Sequence, residues 1–208
     1  EPAVRVGLGL HPWWLDDGRC GEDDVANCIE LAQEARFIAE IGLDFGKRCE
    51  ASRDVQLGAF ERVCAVAGAA GRKVLSLHAV NAATEVLDVL EKTGCLAPGG
   101  GGSCTCILHW YSGSSDQLQR AVRLGCHFSI NPRMLQTKRG REYARILPAS
   151  RLLLETDLPP SAGRPYRRKQ RSAPACMTER DRGRSFCHLW IIDSRLLIVA
   201  LVGEGRLS

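Results

Sequence analysis

Short runs of apolar residues alternate along this chain with segments in which apolar residues recur every three or four positions. Continuous runs are typical of buried strands, and the longer spacing is typical of helices that bury one face. The runs predict six strands, at residues 4–11, 37–45, 73–80, 105–111, 126–131 and 151–157. The periodic segments predict five helices, at residues 23–35, 55–68, 82–91, 115–124 and 138–146. This alternation predicts an α/β protein with a parallel sheet.

Several predicted strands carry acidic residues or histidines at or near their carboxyl ends. These residues are His11, Glu40, Asp44, His78, His109 and Asp157. A closed barrel brings the carboxyl ends of its strands to one mouth, whereas an open sheet spreads them along a line. We therefore favour a (β/α)8 barrel of the TIM type. Because 208 residues and six strands fall short of a complete barrel of ~250 residues, we expect an incomplete barrel that lacks the first strand and the last strand.

The positive charge of the chain is concentrated in one segment. Residues 164–187 contain eight Lys or Arg and two Asp or Glu, although the net charge of the whole chain is only +4. The charge therefore gives no evidence for a nucleic-acid-binding face on the folded part. From residue 161 onward the sequence is rich in Arg, Ser, Pro and Gly and loses both periods. We predict a barrel domain at residues 1–160 and an irregular basic tail, outside the fold, at residues 161–208.

The origin of this tail has two interpretations. The abrupt change in composition favours foreign sequence, such as the product of a shifted reading frame in a GC-rich gene. The alternative is an arm that binds nucleic acid through the basic residues Arg164, Arg167, Arg168, Lys169 and Arg171. The last apolar run, at residues 189–202, has no matching partner in the predicted alternation of strands and helices.

Composition and cysteine content indicate the compartment. No stretch of ~18 uncharged apolar residues occurs, so we expect no membrane-spanning segment. The N-terminal residues show no secretory signal. Ten cysteines could form a disulfide framework, but a chain of this size does not need one, and we expect buried free thiols. Together these features predict a cytoplasmic protein.

Four motifs at the strand ends carry the candidate chemistry. They are Glu40-Ile41-Gly42-Leu43-Asp44, Leu77-His78-Ala79, His109-Trp110-Tyr111-Ser112-Gly113 and Glu155-Thr156-Asp157-Leu158-Pro159. Carboxylates and imidazoles from different strands form the ligand mixture that binds Zn²⁺ or Mn²⁺. Glu40 lies among apolar residues, where a carboxylate is costly unless it is paired or bound to metal. Each residue also has a structural interpretation, because a histidine can be a hydrogen-bonded core residue and an aspartate near proline can form a turn.

These motifs, with Gly9-Leu10-His11-Pro12, resemble the TatD family of metal-dependent deoxyribonucleases in the amidohydrolase-like superfamily. The resemblance covers residues 4–159. It implies that Glu40 is a carboxylate shared between two divalent metal ions (Mg, Mn or Zn) and that His78 and His109 are imidazole ligands. It also implies that Asp157 is a ligand that orients the attacking water, which makes Glu40 and Asp157 the candidate catalytic residues. His11 and Tyr111 are candidate substrate-binding residues at the mouth.

The resemblance implies hydrolysis of phosphodiester bonds in DNA or a related substrate, typically by 3′-5′ exonucleolytic trimming. Three departures from the family pattern are visible, and one of them is that the sequence after Pro159 does not continue this pattern. The chain contains no His-x-His motif, so we expect only one of the two metal sites to be largely retained. Where the family often has an arginine, two residues after His78, this chain has Val80. Two alternatives stay open: an inactive barrel that acts as a binding or scaffold subunit, and a different hydrolysis of the amidohydrolase type.

Overall fold

The computed structural model describes residues 5–155 and 189–192 of the chain. Its strands are β1 (Arg5–Leu8), β2 (Phe37–Asp44), β3 (Val74–Val80), β4 (Thr105–Leu108), β5 (His127–Ile130), β6 (Leu152–Leu154) and β7 (Leu189–Ile192). Its helices are α1 (Pro12–Asp16), α2 (Glu22–Ala32), α3 (Arg53–Ala70), α4 (Ala83–Lys92), α5 (Ser115–Arg123) and α6 (Lys138–Ile146). Four short 3-10 turns complete these elements, at Lys47–Ser52, Pro98–Gly100, Met134–Gln136 and Ala149–Arg151.

The seven strands form one sheet in the order β6-β5-β4-β3-β2-β1-β7. Strands β1 to β6 are parallel, and each pairs with the next strand along the chain. This sequential order is that of a barrel wall, because a doubly wound sheet reverses its strand order near the middle. The predicted α/β class with a parallel sheet is thus confirmed. Within the described part of the chain, β6 and β7 are the edges of the sheet.

Strand β7 pairs antiparallel with β1, in a register that sets Leu189 opposite Leu8 and Ile192 opposite Arg5. The sequence pattern suggested no partner for this apolar run, and that expectation is wrong for residues 189–192. The physical reason is that β1 would otherwise present a row of unpaired backbone groups at the sheet edge. The predicted domain boundary at residue 160 stays a prediction, because residues 156–188 lie outside the described part.

The core lies where the apolar runs of the strands meet the apolar faces of the helices. Strand β2 is buried from Ile38 through Asp44, as expected for a strand covered on both faces. Strands β3, β4 and β5 contribute some of the largest fully buried side chains, among them Leu75, Leu77, Leu108 and Phe128. All eight cysteines in the described segments are free thiols, as the composition predicted. None of the described helices is both long and apolar enough to cross a membrane.

Candidate metal centre

Three buried polar side chains converge where β1, β2 and β3 lie side by side. His11 follows β1, Glu40 lies within β2 and His78 lies within β3. One nitrogen or oxygen atom of each lies within 4.8 Å of those of the other two. The structure therefore brings together three of the residues that the sequence singled out, at positions 29 and 38 residues apart along the chain.

The position of Glu40 depends on an irregularity in β2. The pairing of β2 with β3 shifts register between Ile38 and Ile41, and such bulges turn side chains towards new directions. Strand β1 approaches this bulge closely: the Leu10 N–H donates to the Glu40 carbonyl oxygen at 3.1 Å. A Cβ atom on Gly9 would lie 2.4 Å from the Ala39 carbonyl oxygen, so only glycine permits this approach.

His11 is held by the start of α1. Its Nδ1 accepts a hydrogen bond from the Trp13 backbone N–H at 3.2 Å, as the N-cap of that helix. A neutral imidazole that accepts at Nδ1 carries its proton on Nε2, and His11 Nε2 lies 3.5 Å from Glu40 Oε2. Burial lowers the pKa of His11, and this effect outweighs the raising effect of Glu40. His11 thus directs an N–H towards the centre, and ligating a metal through Nε2 requires the cap bond to break.

His78 bridges two carboxylates. Its Nδ1 lies 3.3 Å from Glu40 Oε1, and its Nε2 lies 3.3 Å from Asp44 Oδ2. Burial acts to lower the pKa of His78, but the hydrogen bonds to Asp44 and Glu40 raise it above the usual value. Burial likewise acts to raise the pKa of Glu40, yet hydrogen bonds from His11 and His78 hold it well below its usual range. The centre therefore concentrates negative charge around one imidazole.

Asp44 is a member of this centre to which the sequence analysis assigned no role. Although burial opposes the shift, hydrogen bonds from His78, from the Trp13 indole and from the Gly46 backbone lower the pKa of Asp44 to about 2. The feature of the sequence that could have indicated this role is the position of Asp44 at the carboxyl end of β2, four residues after Glu40. Its carboxylate holds His78 on the side away from Glu40.

His109 and Glu155 form a second pair. His109 directly follows β4, and its Nδ1 makes an ion pair with Glu155 Oε2. The Ser129 hydroxyl donates to the same Glu155 oxygen at 2.7 Å, whereas Oε1 of Glu155 is buried without a hydrogen-bond partner among the described residues. The charge of His109 also contributes to the low pKa of Glu40. A carboxylate behind a histidine is the usual support of a metal-ligating imidazole, and sequence reasoning assigned Glu155 no role.

Three predicted site residues are not placed in the cluster of His11, Glu40 and His78: His109, which pairs with Glu155, and Asp157 and Tyr111. Asp157 lies outside the described residues, so its role stays a prediction. Tyr111 has only 3% of its surface exposed, and its hydroxyl donates to the Ser114 carbonyl oxygen at 2.9 Å. Its ring packs edge-on against Phe128. Its substrate-binding role also stays a prediction.

The donor set is suited to a divalent cation. Glu40 supplies carboxylate oxygens, and His11 and His78 supply imidazole nitrogens, the mixture that Zn²⁺ and Mn²⁺ bind. The buried Oε1 of Glu155, which has no partner among the described residues, is a further acceptor that an ion or an ordered water could satisfy. The fold and this cluster together define an α/β protein of the barrel class with a candidate metal centre.

Comparison with known proteins extends this definition to a family. The family model described as TatD related DNase matches residues 1–182, and the chain belongs to that family. It is similar to "Deoxyribonuclease Tat-D" of Schizosaccharomyces pombe, with 32% identity over 189 residues, covering 83% of this chain and 59% of that protein. It is also similar to "3'-5' ssDNA/RNA exonuclease TatD" of Edwardsiella piscicida, with 31% identity over 156 residues, covering 73% of this chain and 56% of the relative.

The chain therefore spans less than two thirds of the length of these curated relatives. Among solved structures it resembles YjjV, a TatD homologue from Escherichia coli K12, with a TM-score of 0.60 and 24% identity. That match covers 77% of this chain and 62% of the other. A TatD family hydrolase from Entamoeba histolytica is similar at a TM-score of 0.59 and 19% identity. At these identities the structural matches support the fold alone.

Proposed function

We propose that this protein hydrolyses phosphodiester bonds of nucleic acid in a reaction that depends on divalent metal ions, removing nucleotides from 3′ ends. The observation that carries this proposal is the buried cluster of His11, Glu40 and His78, whose polar atoms lie within 4.8 Å of one another. The names of the curated relatives, a deoxyribonuclease and a 3′-5′ exonuclease, support the choice of substrate.

In this proposal Glu40, His78, His109 and Asp157 would hold the divalent metal. A bound divalent cation lowers the pKa of water and stabilises negative charge on phosphoryl oxygens. Glu40 is suited to this role because it is ionised and buried, so its charge is weakly screened by solvent.

The remaining residues position these groups and the substrate. Asp44 fixes the ring of His78, and Glu155 fixes the ring of His109. His11 keeps its proton on Nε2 and donates it as a hydrogen bond to a phosphoryl oxygen of the substrate. Asp157 orients the attacking water. The ordering of these side chains before the substrate arrives reduces the reorganisation that the reaction requires.

Metal binding and cleavage test this proposal separately. Calorimetric titration with Mn²⁺ should show binding by the full chain, and Glu40→Gln should weaken that binding because it removes a buried negative charge. Glu30→Gln is the matched control, since Glu30 is exposed on α2. Single-stranded DNA labelled at its 3′ end should then release its label as a mononucleotide from the start of the reaction, whereas an endonuclease would release labelled oligonucleotides.

The two readouts distinguish the alternatives. If Mn²⁺ binds in a Glu40-dependent way but no phosphodiester is cleaved, the chain binds metal without nuclease activity, as the scaffold alternative expects. If Glu40→Gln and Glu30→Gln behave alike in both assays, the proposed centre is wrong.

A further inference from the structure

Trp13 is fixed against the candidate metal centre on several sides. Its indole N–H donates to Asp44 Oδ2, and its backbone N–H donates to His11 Nδ1. Its ring centroid lies 4.8 Å from that of His11 and 5.7 Å from that of His78. Despite these contacts, 40% of the Trp13 surface is exposed to solvent. Trp13 is therefore anchored at the edge of the His11, Glu40 and His78 cluster, with part of its ring exposed to solvent.

Arg48 lies over one face of the Trp13 indole. Its guanidinium carbon lies 3.9 Å from the Trp13 ring centroid, well within the range of a cation–π contact. Arg48 belongs to the 3-10 turn Lys47–Ser52, which leaves the sheet directly beyond Asp44. The Trp13 ring thus holds the Arg48 guanidinium at the edge of the metal centre, and Arg48 follows Asp44 by only four residues along the chain.

The guanidinium of Arg48 has no carboxylate partner within 4.0 Å among the residues that the structure describes. Arg19, in the loop that follows α1, provides the contrast. Arg19 lies over the ring of Trp14 at 5.7 Å, but it is neutralised by Asp17, with its Nη2 2.7 Å from Asp17 Oδ2. The Arg48 side chain makes a hydrogen bond with Cys49, but among the described residues no carboxylate competes with an anion for its N–H donors, whereas Asp17 does so at Arg19.

We propose that Arg48, held by Trp13, binds a backbone phosphate of the substrate next to the phosphate at the metal centre. This inference rests on the proposed function. It names the residue that binds the nucleic-acid strand beside the phosphate that is hydrolysed. The carboxylates of Glu40 and Asp44 repel a polyanion, so phosphates outside the reach of the metal need a cation of their own. Arginine binds phosphate oxygens with two parallel hydrogen bonds, and a cation–π contact through the face of the guanidinium does not use the N–H groups that make them.

The test compares a substrate with several phosphates to one with a single phosphate. Arg48→Ala should lower kcat/KM for a single-stranded oligonucleotide by about 10-fold to 100-fold, as expected for loss of a charged hydrogen-bonding group. The loss on bis(p-nitrophenyl) phosphate, which has one phosphate, should be at least several-fold smaller. Arg48→Lys should fall between the wild type and Arg48→Ala, because lysine keeps the charge without the planar pair of donors. Arg19→Ala is the matched control and should behave as the wild type.

A second measurement does not require turnover. Fluorescence anisotropy with a labelled single-stranded oligonucleotide, in chelator, should show weaker binding for Arg48→Ala and a salt dependence reduced by about one counterion. If Arg48→Ala binds more weakly than Arg19→Ala but no variant cleaves, the proposed function fails while the phosphate site stands. Equal behaviour of Arg48→Ala and Arg19→Ala on both substrates overturns the inference, and so does a wild type that does not bind the oligonucleotide.

Discussion

Gly42 of β2 lies directly against the backbone of His78, its register partner in β3. A Cβ atom on Gly42 would lie 2.1 Å from the His78 carbonyl oxygen, and the Gly42 φ angle is +139°. Both facts require glycine at this position, because neither a rigid backbone atom nor a positive φ angle accommodates a side chain. The close contact places the His78 imidazole between the two carboxylates of β2.

Gly42→Ala should lower the free energy of unfolding by about 2–5 kcal/mol, because the substitution combines backbone strain with a steric clash. Gly58→Ala is a suitable control. Gly58 lies within α3, and nothing stands within 4 Å of a Cβ placed there, so this variant should gain about 0.5–1 kcal/mol. Urea unfolding measures both. Equal stability of the two variants would show that β2 and β3 leave room for a side chain at position 42.

Glu155→Gln should weaken metal binding without removing a proposed ligand. The substitution keeps the volume but removes the charge that faces His109 Nδ1. Loss of such a supporting carboxylate typically lowers metal affinity by about 10-fold to 100-fold. Calorimetric titration with Mn²⁺ or Zn²⁺ measures this change, and Glu142→Gln, an exposed residue of α6, serves as the comparison. Unchanged affinity in Glu155→Gln would place His109 outside the metal site.

Tyr111→Phe separates two roles of that side chain. The structure uses the Tyr111 hydroxyl as a donor to the Ser114 carbonyl oxygen, so its loss should cost about 1 kcal/mol of stability. On the same grounds KM for an oligonucleotide should change less than about twofold, since the side chain is buried. A large rise in KM at unchanged stability would instead support the substrate-binding role predicted from the sequence.

At pH 8, Cys126 should react with thiol reagents only when the protein unfolds. Burial raises the pKa of the Cys126 thiol to about 12, so at pH 8 only about one in 10⁴ carries the reactive thiolate. Because the thiolate is the reactive form, the reactivity of Cys126 in the folded protein should keep rising with pH up to about 12. An ordinary thiol, with a pKa of about 8.5, reaches its full reactivity at a much lower pH. Peptide mapping after timed alkylation measures it.

An exposed cysteine introduced by Glu30→Cys gives the reference rate on the same protein. Comparable rates for Cys126 and this introduced cysteine at pH 8 would mean that β5 and the residues before it open without global unfolding. A rate for Cys126 that follows the urea dependence of unfolding would confirm the prediction.

Much of the fold could be predicted because its elements have strong periods. Helix α6 occupies residues 138–146, and β2 and β3 lie within one residue of their predicted limits. Helix α1 was missed because Pro12–Asp16 is too short to show a helical period. Its first residue is a proline after an N-cap histidine, a local signal of a helix start that the pattern of apolar residues does not contain.

The site was predictable at the level of residue types but not of geometry. His11 and His78 stand at or near the carboxyl ends of strands, Glu40 lies within the strand between them, and the three side chains do meet. The bulge that turns Glu40 inward leaves no trace in sequence periodicity, and neither does the pairing of Glu155 with His109. Contacts of this kind depend on how two distant strands align, which a single sequence read along its length does not specify.

The pairing of β7 with β1 has a consequence for how the protein is made. Leu8 pairs with Leu189, so one side of the strand that precedes His11 is completed by residues from the far end of the chain. During synthesis, β1 emerges from the ribosome long before its partner, and closing so long a loop is a slow, late step of folding. Until the last strand arrives, the nascent chain exposes a strand edge next to its own metal-binding residues.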